Sequence, residues 1–211
     1  ACVLDCQDKL AGNPGSDQGA AIVVNSGNAN AFTGAAGQRS VDAVTGAAAL
    51  ALGVPAQRVF SSSTGVIGEP LPHERITAIL DDLAGALDEG GINAAARAIM
   101  TTDTFPKSAG AEIAAEGGSI RIAGIAKGSG MIAPDMATML VYIFTDAKIE
   151  PKLLQRILSS QMDATFNAIT VDSDTSTSDA LIVAATGRSA AAEITDLDSG
   201  PGRAFLQALH G

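Results

Sequence analysis

The segment GIAKGSGMIAPDMATML, residues 124–140, joins a glycine-rich loop to an apolar run. The loop ends at Pro134, and residues 139–145 have the composition of a strand that is covered on both faces. Between them, the small residue Ala137 precedes the hydroxyl residue Thr138. A strained peptide bond at such a place can be attacked by the neighbouring hydroxyl, and the threonine so released carries an α-amine that can serve as its own base. The alternative is that Thr138, a β-branched residue, simply begins the strand.

On both sides of this segment, the pattern predicts mixed strands and helices without an internal repeat. Short apolar or alternating runs predict strands over 19–25, 59–63, 112–115, 119–126 and 180–185, with Gly117-Gly118 as a hairpin turn. Apolar stripes predict helices over 38–52, 72–87, 93–100 (N-capped by Asn93), from Pro151 onward and over 201–209. Loops are expected over 25–34 and 172–179. These elements predict a layered α/β domain, and the sequence leaves open whether its sheets are parallel.

Composition narrows the classes of function. The chain has 211 residues, of which 46% are apolar and 17% charged, so it can bury a real core and is not disordered. Its net charge of −10 makes it a poor binder of phosphate backbones, which argues against a nucleic-acid partner. The apolar runs are far shorter than the roughly 20 residues of a membrane span. With no signal-peptide pattern at the start, we expect a cytoplasmic protein without a membrane partner.

The familiar catalytic sets are missing from the sequence. The two histidines, His73 and His210, have no flanking pattern of a nucleophile–His–Asp triad, and His73 is expected on an exposed helix. The two cysteines, Cys2 and Cys6, have no zinc-binding pattern and are expected to be reduced thiols. We therefore expect neither a histidine-based triad nor a zinc site.

Two other segments resemble binding loops only in part. The segment from Lys127 to Gly130 places the lysine before the glycines, the wrong order for a phosphate-binding loop. The aspartates at 172, 174 and 179 lack the central glycine and terminal glutamate of a calcium loop, so a solvated loop is expected there. We expect no metal ion.

A second candidate for chemistry is the segment SSSTGVIG, residues 61–68. A Thr-Gly turn at the end of a strand, here Thr64-Gly65, can aim a hydroxyl and a backbone N–H at one point. Paired donors of this kind stabilise the oxyanion of a tetrahedral intermediate. The alternative is an ordinary turn, because turns rich in Ser, Thr and Gly are common.

Four segments together resemble the bifunctional ornithine acetyltransferase / N-acetylglutamate synthase family of arginine biosynthesis. In chain order they are NSGNAN (25–30), STGVIG (63–68), MTTDT (100–104) and KGSGMIAPDMATML (127–140). They span nearly the whole chain. The resemblance implies a sandwich of two β-sheets between helix layers, as in the self-cleaving N-terminal-nucleophile type of fold.

The resemblance also implies roles for particular residues. Thr138 is the nucleophile, freed by autocleavage after Ala137 into fragments 1–137 and 138–211, which assemble as a heterotetramer. Thr64 and Gly65 form the oxyanion hole. The substrate-binding positions include Thr138 itself and a further threonine and lysine. In this sequence these are Thr101 and Lys127, with Thr102 as a near alternative to Thr101.

The implied reaction moves an acetyl group from N-acetylornithine to Thr138 and then to glutamate. No cofactor is expected, and the resemblance leaves open whether acetyl-CoA also donates acetyl groups. Family members extend beyond both ends of these residues, so we expect 1–211 to be one partial catalytic domain, without the family's binding Glu and its C-terminal Asn and Thr. Two alternatives remain: a self-cleaving aminopeptidase or amidase, in which water accepts the acyl group, and an inactive truncated fragment.

Overall fold

The computed structural model describes residues 1–12, 18–130, 139–172, 176 and 178–211. Its helices are α1 (Cys2–Ala11), α2 (Gly34–Leu52), α3 (His73–Thr77), α4 (Leu80–Gly85), α5 (Ile92–Ala98), α6 (Pro151–Gln161) and α7 (Gly200–His210). Its strands are β1 (Ala21–Asn28), β2 (Val59–Val66), β3 (Lys107–Ala115), β4 (Gly118–Lys127), β5 (Leu140–Thr145) and β6 (Ala180–Ala185).

The strands form two sheets. Strands β1 and β2 pair in parallel as a two-stranded sheet. The second sheet has the order β3-β4-β5-β6, in which β3, β4 and β5 are antiparallel neighbours and β6 runs parallel to β5. The strand orientation that the sequence left open is therefore parallel in the first sheet and mixed in the second.

The two sheets face each other through an apolar layer. Because side chains alternate along a strand, Ile22 and Val24 of β1 point the same way, and both pack against a buried cluster from the second sheet. That cluster includes Ile125 of β4 and Leu140 and Tyr142 of β5. The outward-facing residues of the same strands pack against helices, so each strand is covered on both sides.

Helices cover the two outer faces. Ala48 and Ala49 of α2 pack with Val59 of β2 and Leu80 of α4 on the first sheet. On the second sheet, the outward residues of β4 and β5 pack against α6 and α7 around Ile120, Ile122, Val141, Ile143, Leu153, Ile157 and Phe205. The order helix, sheet, sheet, helix confirms the predicted sandwich. No helix in the described part of the chain combines the length and hydropathy that crossing a membrane requires.

Two helix predictions differ from the structure. Residues 72–87 form two short helices rather than one, because the apolar stripe does not make a single buried face. Leu80 is buried against α2, whereas Ile79 and Leu83 are about half exposed. Helix α5 begins at Ile92 after the N-cap Gly91, so Asn93 lies in the first turn and is not the cap.

Two strand boundaries also differ. Strand β1 continues to Asn28, into the segment expected to be a loop, because its backbone still pairs with the end of β2. In the hairpin, Ala115 pairs with Gly118, so the turn residues are Glu116 and Gly117 rather than Gly117 and Gly118. Gly117 takes a φ of 85°, which the turn requires and a glycine adopts without strain.

Candidate active site

The buried side chain of Lys127 connects the two sheets. Lys127 is the last residue of β4, two positions after Ile125, so it shares the face that points toward the first sheet. It is 3% exposed. Its ammonium donates hydrogen bonds to Thr101 Oγ1 at 2.8 Å and to Thr64 Oγ1 at 3.2 Å. Three residues assigned to the site by resemblance, from separate segments, therefore meet at one ammonium group.

Strand β2 supplies the candidate oxyanion-hole residues. Thr64 is completely buried and points into the space between the sheets. Gly65 follows it with a φ of 129° and pairs with Gly27 of β1. Thr64 and Gly65 thus stand at the carboxyl end of the parallel pair, with the Thr64 hydroxyl in contact with the lysine.

The neighbouring threonines separate into two environments. Thr101 accepts the hydrogen bond from Lys127, whereas the hydroxyl of Thr102 is exposed and shares a 2.9 Å hydrogen bond with Ser129. Of the two threonines considered from the sequence, it is Thr101 that contacts the buried ammonium. The difference arises at the chain turn after α5, where adjacent side chains point in different directions.

Asp103 is a residue of this cluster that the sequence analysis did not assign. Its side chain is completely buried. Its Oδ1 accepts hydrogen bonds from Lys107 Nζ at 2.6 Å and from the Gly128 N–H at 2.7 Å. Its Oδ2 accepts one from the Thr101 N–H at 3.3 Å and lies 3.9 Å from Lys127 Nζ. The available signal was an acidic residue inside the MTTDT segment, among hydroxyl residues.

The charges in this cluster influence one another. Burial raises the pKa of Asp103, but the hydrogen bonds from Lys107 and from the Gly128 and Thr101 N–H groups outweigh burial and leave the pKa lowered. The pKa of Lys127 is lowered, chiefly by burial, although the negative charge of Asp103 opposes that effect. Asp103 is thus a carboxylate at neutral pH and the counter-charge nearest to Lys127 that the described residues provide.

Ala137 and Thr138 lie outside the described residues, so the predicted nucleophile and cleavage point have no structural account here. The next residue, Met139, is fixed from both sides. Its N–H donates to Asp179 Oδ1 at 3.0 Å, and its carbonyl oxygen accepts from the Ala180 N–H at 3.0 Å. Asp179, expected in a solvated loop, is half-buried because it caps the start of β5 in this way.

The other candidates have structural partners. His73 lies in the first turn of α3, where its side chain is 28% exposed and its Nδ1 shares a 3.0 Å hydrogen bond with Ser40 Oγ on α2. Cys2 and Cys6 are free thiols on α1 against β2. Among the described residues, no three His, Cys, Asp or Glu side chains are placed to hold a metal ion.

Comparison with known proteins places this chain in a family. The ArgJ family model matches residues 1–210. The arginine biosynthesis bifunctional protein ArgJ of Ruegeria pomeroyi is 64% identical over 189 residues, which cover 90% of this chain and 46% of that protein. The protein of the same name from Gluconobacter oxydans is 50% identical over 210 residues, covering 100% of this chain and 49% of that protein.

Solved structures agree with the sequence relatives. The crystal structure of the arginine biosynthesis bifunctional protein ArgJ from Bacillus halodurans has a TM-score of 0.53 and 34% identity, covering 64% of this chain and 69% of that one. The ornithine acetyltransferase of Mycobacterium tuberculosis, solved in complex with ornithine, has a TM-score of 0.52 and 33% identity, covering 63% and 69%. The chain spans about half the length of the two curated relatives. The family resemblance seen in its sequence is confirmed: the chain belongs to the ArgJ family.

Proposed function

We propose that the protein carrying this chain transfers an acetyl group from N2-acetylornithine to glutamate, through an acetyl ester on Thr138, as a cytoplasmic step of arginine biosynthesis. The observation that carries the proposal is the buried ammonium of Lys127, which donates to the hydroxyls of both Thr64 and Thr101. A fixed positive charge beside a buried hydroxyl suits a reaction in which negative charge develops on oxygen. Membership of the ArgJ family supports the same chemistry.

Self-processing comes first in the proposed sequence. The Thr138 hydroxyl attacks the Ala137 carbonyl carbon, its proton passes to the departing amide nitrogen, and an ester joins the two residues. Water then hydrolyses the ester, which leaves a carboxylate on Ala137 and a free α-amine on Thr138. This amine, with an ordinary pKa of roughly 8, can remove the proton from its own hydroxyl. The resulting fragments, 1–137 and 138–211 within this chain, stay together and assemble as a heterotetramer.

Acetyl transfer then proceeds in two matched halves. The Thr138 oxygen attacks the acetyl carbonyl of N-acetylornithine, and Thr64 and Gly65 donate hydrogen bonds to the oxyanion that forms. Collapse of this intermediate breaks the C–N bond, and the protonated α-amine returns its proton to the departing ornithine nitrogen. In the second half, the glutamate amine attacks the ester and Thr138 is regenerated. Thr101 and Lys127 bind substrate next to the reacting carbonyl.

The test is an acetyl-transfer assay on the product of the complete gene, with N-acetylornithine alone and with added glutamate. The proposal predicts N-acetylglutamate, with about one ornithine released per site in the absence of glutamate and continuous release only when glutamate is present. Free acetate formed at the same rate without glutamate would instead indicate a hydrolase, the amidase alternative. A third reaction with acetyl-CoA and glutamate shows whether the thioester is also a donor. Absence of every product would contradict the proposal, and activity of the complete gene product with none in residues 1–211 alone would fit the alternative of an inactive truncated fragment.

A further inference from the structure

We propose that Asp103 is a positioning residue that holds Lys127 against Thr64, so that Lys127 directs the Thr64 hydroxyl proton toward the oxyanion. The inference rests on the proposed function, because it assigns Thr64 to the oxyanion hole. It adds to the substrate-binding role predicted for Lys127, since the lysine acts here through a second residue. All three side chains are buried.

The direction of the Lys127–Thr64 hydrogen bond is fixed by chemistry. A lysine ammonium carries three donors and no acceptor, so Thr64 Oγ1 must accept the 3.2 Å bond. The single hydroxyl proton of Thr64 is then left to be donated elsewhere. Hydrogen bonds that run in series strengthen one another, so a hydroxyl that accepts from an ammonium is a better donor. Lys127 thus orients and polarises the hydroxyl that faces the developing negative charge.

Asp103 supplies the geometry that this arrangement needs. Its two oxygens accept hydrogen bonds from the backbone N–H groups of Gly128 and Thr101. Gly128 directly follows Lys127 in the chain, and Thr101 carries the second hydroxyl that Lys127 contacts. One carboxylate therefore fixes both segments around the ammonium. Its Oδ2 lies 3.9 Å from Lys127 Nζ, an ion-pair distance without a direct hydrogen bond, which leaves the ammonium donors for the threonines. A buried ammonium without such a counter-charge is strongly disfavoured.

The charge state of Lys127 makes the inference testable by pH. Burial and the positive charge of Lys107 lower its pKa, while the negative charges of Asp103 and Asp179 raise it. Its other contacts, Thr64 and Thr101, are neutral. Removal of the Asp103 charge lowers the Lys127 pKa further, so the ammonium loses its proton at a lower pH. A neutral amine no longer forces Thr64 to accept, and turnover should fall at that lower pH.

The first experiment compares Asp103→Asn with Asp146→Asn in the product of the complete gene. Asp146 is a matched control, because its carboxylate, like that of Asp103, accepts hydrogen bonds from a backbone N–H and from a cationic side chain. Both donors belong to Arg121 of β4, whose N–H lies at 2.8 Å and whose Nε lies at 3.3 Å. For Asp103→Asn we expect kcat to fall on the order of 10-fold to 100-fold, less than the roughly 10²–10³ of a lost oxyanion donor. KM for N-acetylornithine should change less. The pH above which kcat falls, called here the alkaline limit of kcat, should move to a lower value. Asp146→Asn should change neither.

A double-mutant cycle keeps the inference testable if Asp103→Asn does not fold. Lys127→Met is made in the wild-type protein and in Thr64→Ala. If Lys127 acts through Thr64, its replacement costs much less kcat once the hydroxyl is absent. If Lys127→Met lowers kcat by the same factor in both backgrounds, the inference is overturned. It is also overturned if a folded Asp103→Asn protein keeps the wild-type alkaline limit of kcat. Either result leaves acetyl transfer by the wild type unaffected. Failure of the wild type to transfer acetyl would instead count against the proposed function.

Discussion

Gly65 lies so close to Gly27 that a Cβ atom at position 65 would come within 2.3 Å of the Gly27 carbonyl carbon and 2.6 Å of its oxygen. Both atoms belong to rigid backbone, and the φ of 129° at Gly65 is one that other residues rarely adopt. The contact brings the ends of β1 and β2 together immediately after Thr64. It explains why the candidate oxyanion hole contains a glycine at this position.

We expect Gly65→Ala to destabilise the protein by about 1–3 kcal/mol, because the new Cβ must push β1 and β2 apart and the backbone conformation becomes strained. Thermal or urea unfolding measures the change. Gly46→Ala is the control, since Gly46 lies within α2 with no atom near its potential Cβ. Because alanine favours the helix and its Cβ meets no other atom, Gly46→Ala should raise the free energy of unfolding by roughly 0.5–1 kcal/mol. An unfolding midpoint that is unchanged in Gly65→Ala would contradict the close-approach explanation.

Thr64→Ala should lower kcat for acetyl transfer by about 10²–10³, because one donor to the oxyanion is lost. KM for N-acetylornithine should change far less. Thr64→Ser retains the hydroxyl and should recover much of the lost rate. Steady-state kinetics of the two variants separate the possibilities: equal losses in affinity and turnover would assign Thr64 to ground-state binding instead.

Tyr142 offers a test of the packing between the sheets. Its ring is buried in the layer that joins them. Its hydroxyl lies close enough to the Ser62 hydroxyl for that group to oppose the effect of burial on its pKa, but among the described residues neither hydroxyl has a partner at normal hydrogen-bond geometry. Burial raises the pKa of this hydroxyl, so it stays neutral through the physiological range. Tyr142→Phe removes an unsatisfied polar atom and keeps the ring, so the free energy of unfolding should be unchanged or higher by about 1 kcal/mol. A loss of several kcal/mol on denaturant unfolding would show that the hydroxyl has a partner that stabilises the fold.

His73→Ala should leave the pH profile of acetyl transfer unchanged, because the proposed base is the Thr138 α-amine and no histidine is required. Activity should rise with pH through a single ionisation at or below roughly 8, as the free amine loses its proton. The variant should lose only the stability of the Ser40 hydrogen bond, about 1 kcal/mol. Loss of both the activity and the alkaline rise in His73→Ala would restore a histidine-dependent mechanism.

The sandwich was predictable because its strands and helices carry clear apolar patterns, and because four segments resemble one family. Helix breaks were harder to predict. The stripe across 72–87 looked continuous, yet only part of it meets α2 in three dimensions. The hairpin turn shifted by one residue because two adjacent glycines, Gly117 and Gly118, fit a tight turn equally well by composition. Such boundaries depend on tertiary packing, which a local pattern does not contain.

The residues of the candidate site were also predictable only in part. Thr64, Thr101 and Lys127 were named from the family resemblance, and the fold brings their side chains into contact although 63 and 26 residues separate the two threonines from the lysine. Asp103 was not assigned, because an aspartate among threonines in a polar segment is equally typical of a solvated turn. Only the fold shows that its carboxylate is buried and receives donors from three residues.

The central claim is that Thr138 becomes an amino-terminal residue and carries the acetyl group. It is tested most directly by mass spectrometry of the complete gene product after mixing with N-acetylornithine in the absence of glutamate. We predict a fragment that begins at Thr138 and is heavier by one acetyl group, with the added mass lost when glutamate is supplied. Thr138→Ala should remain uncut, and Thr138→Ser should retain some cleavage because the hydroxyl persists. A wild-type chain that stays intact across Ala137-Thr138, or an acetyl group found on another residue, would contradict the account.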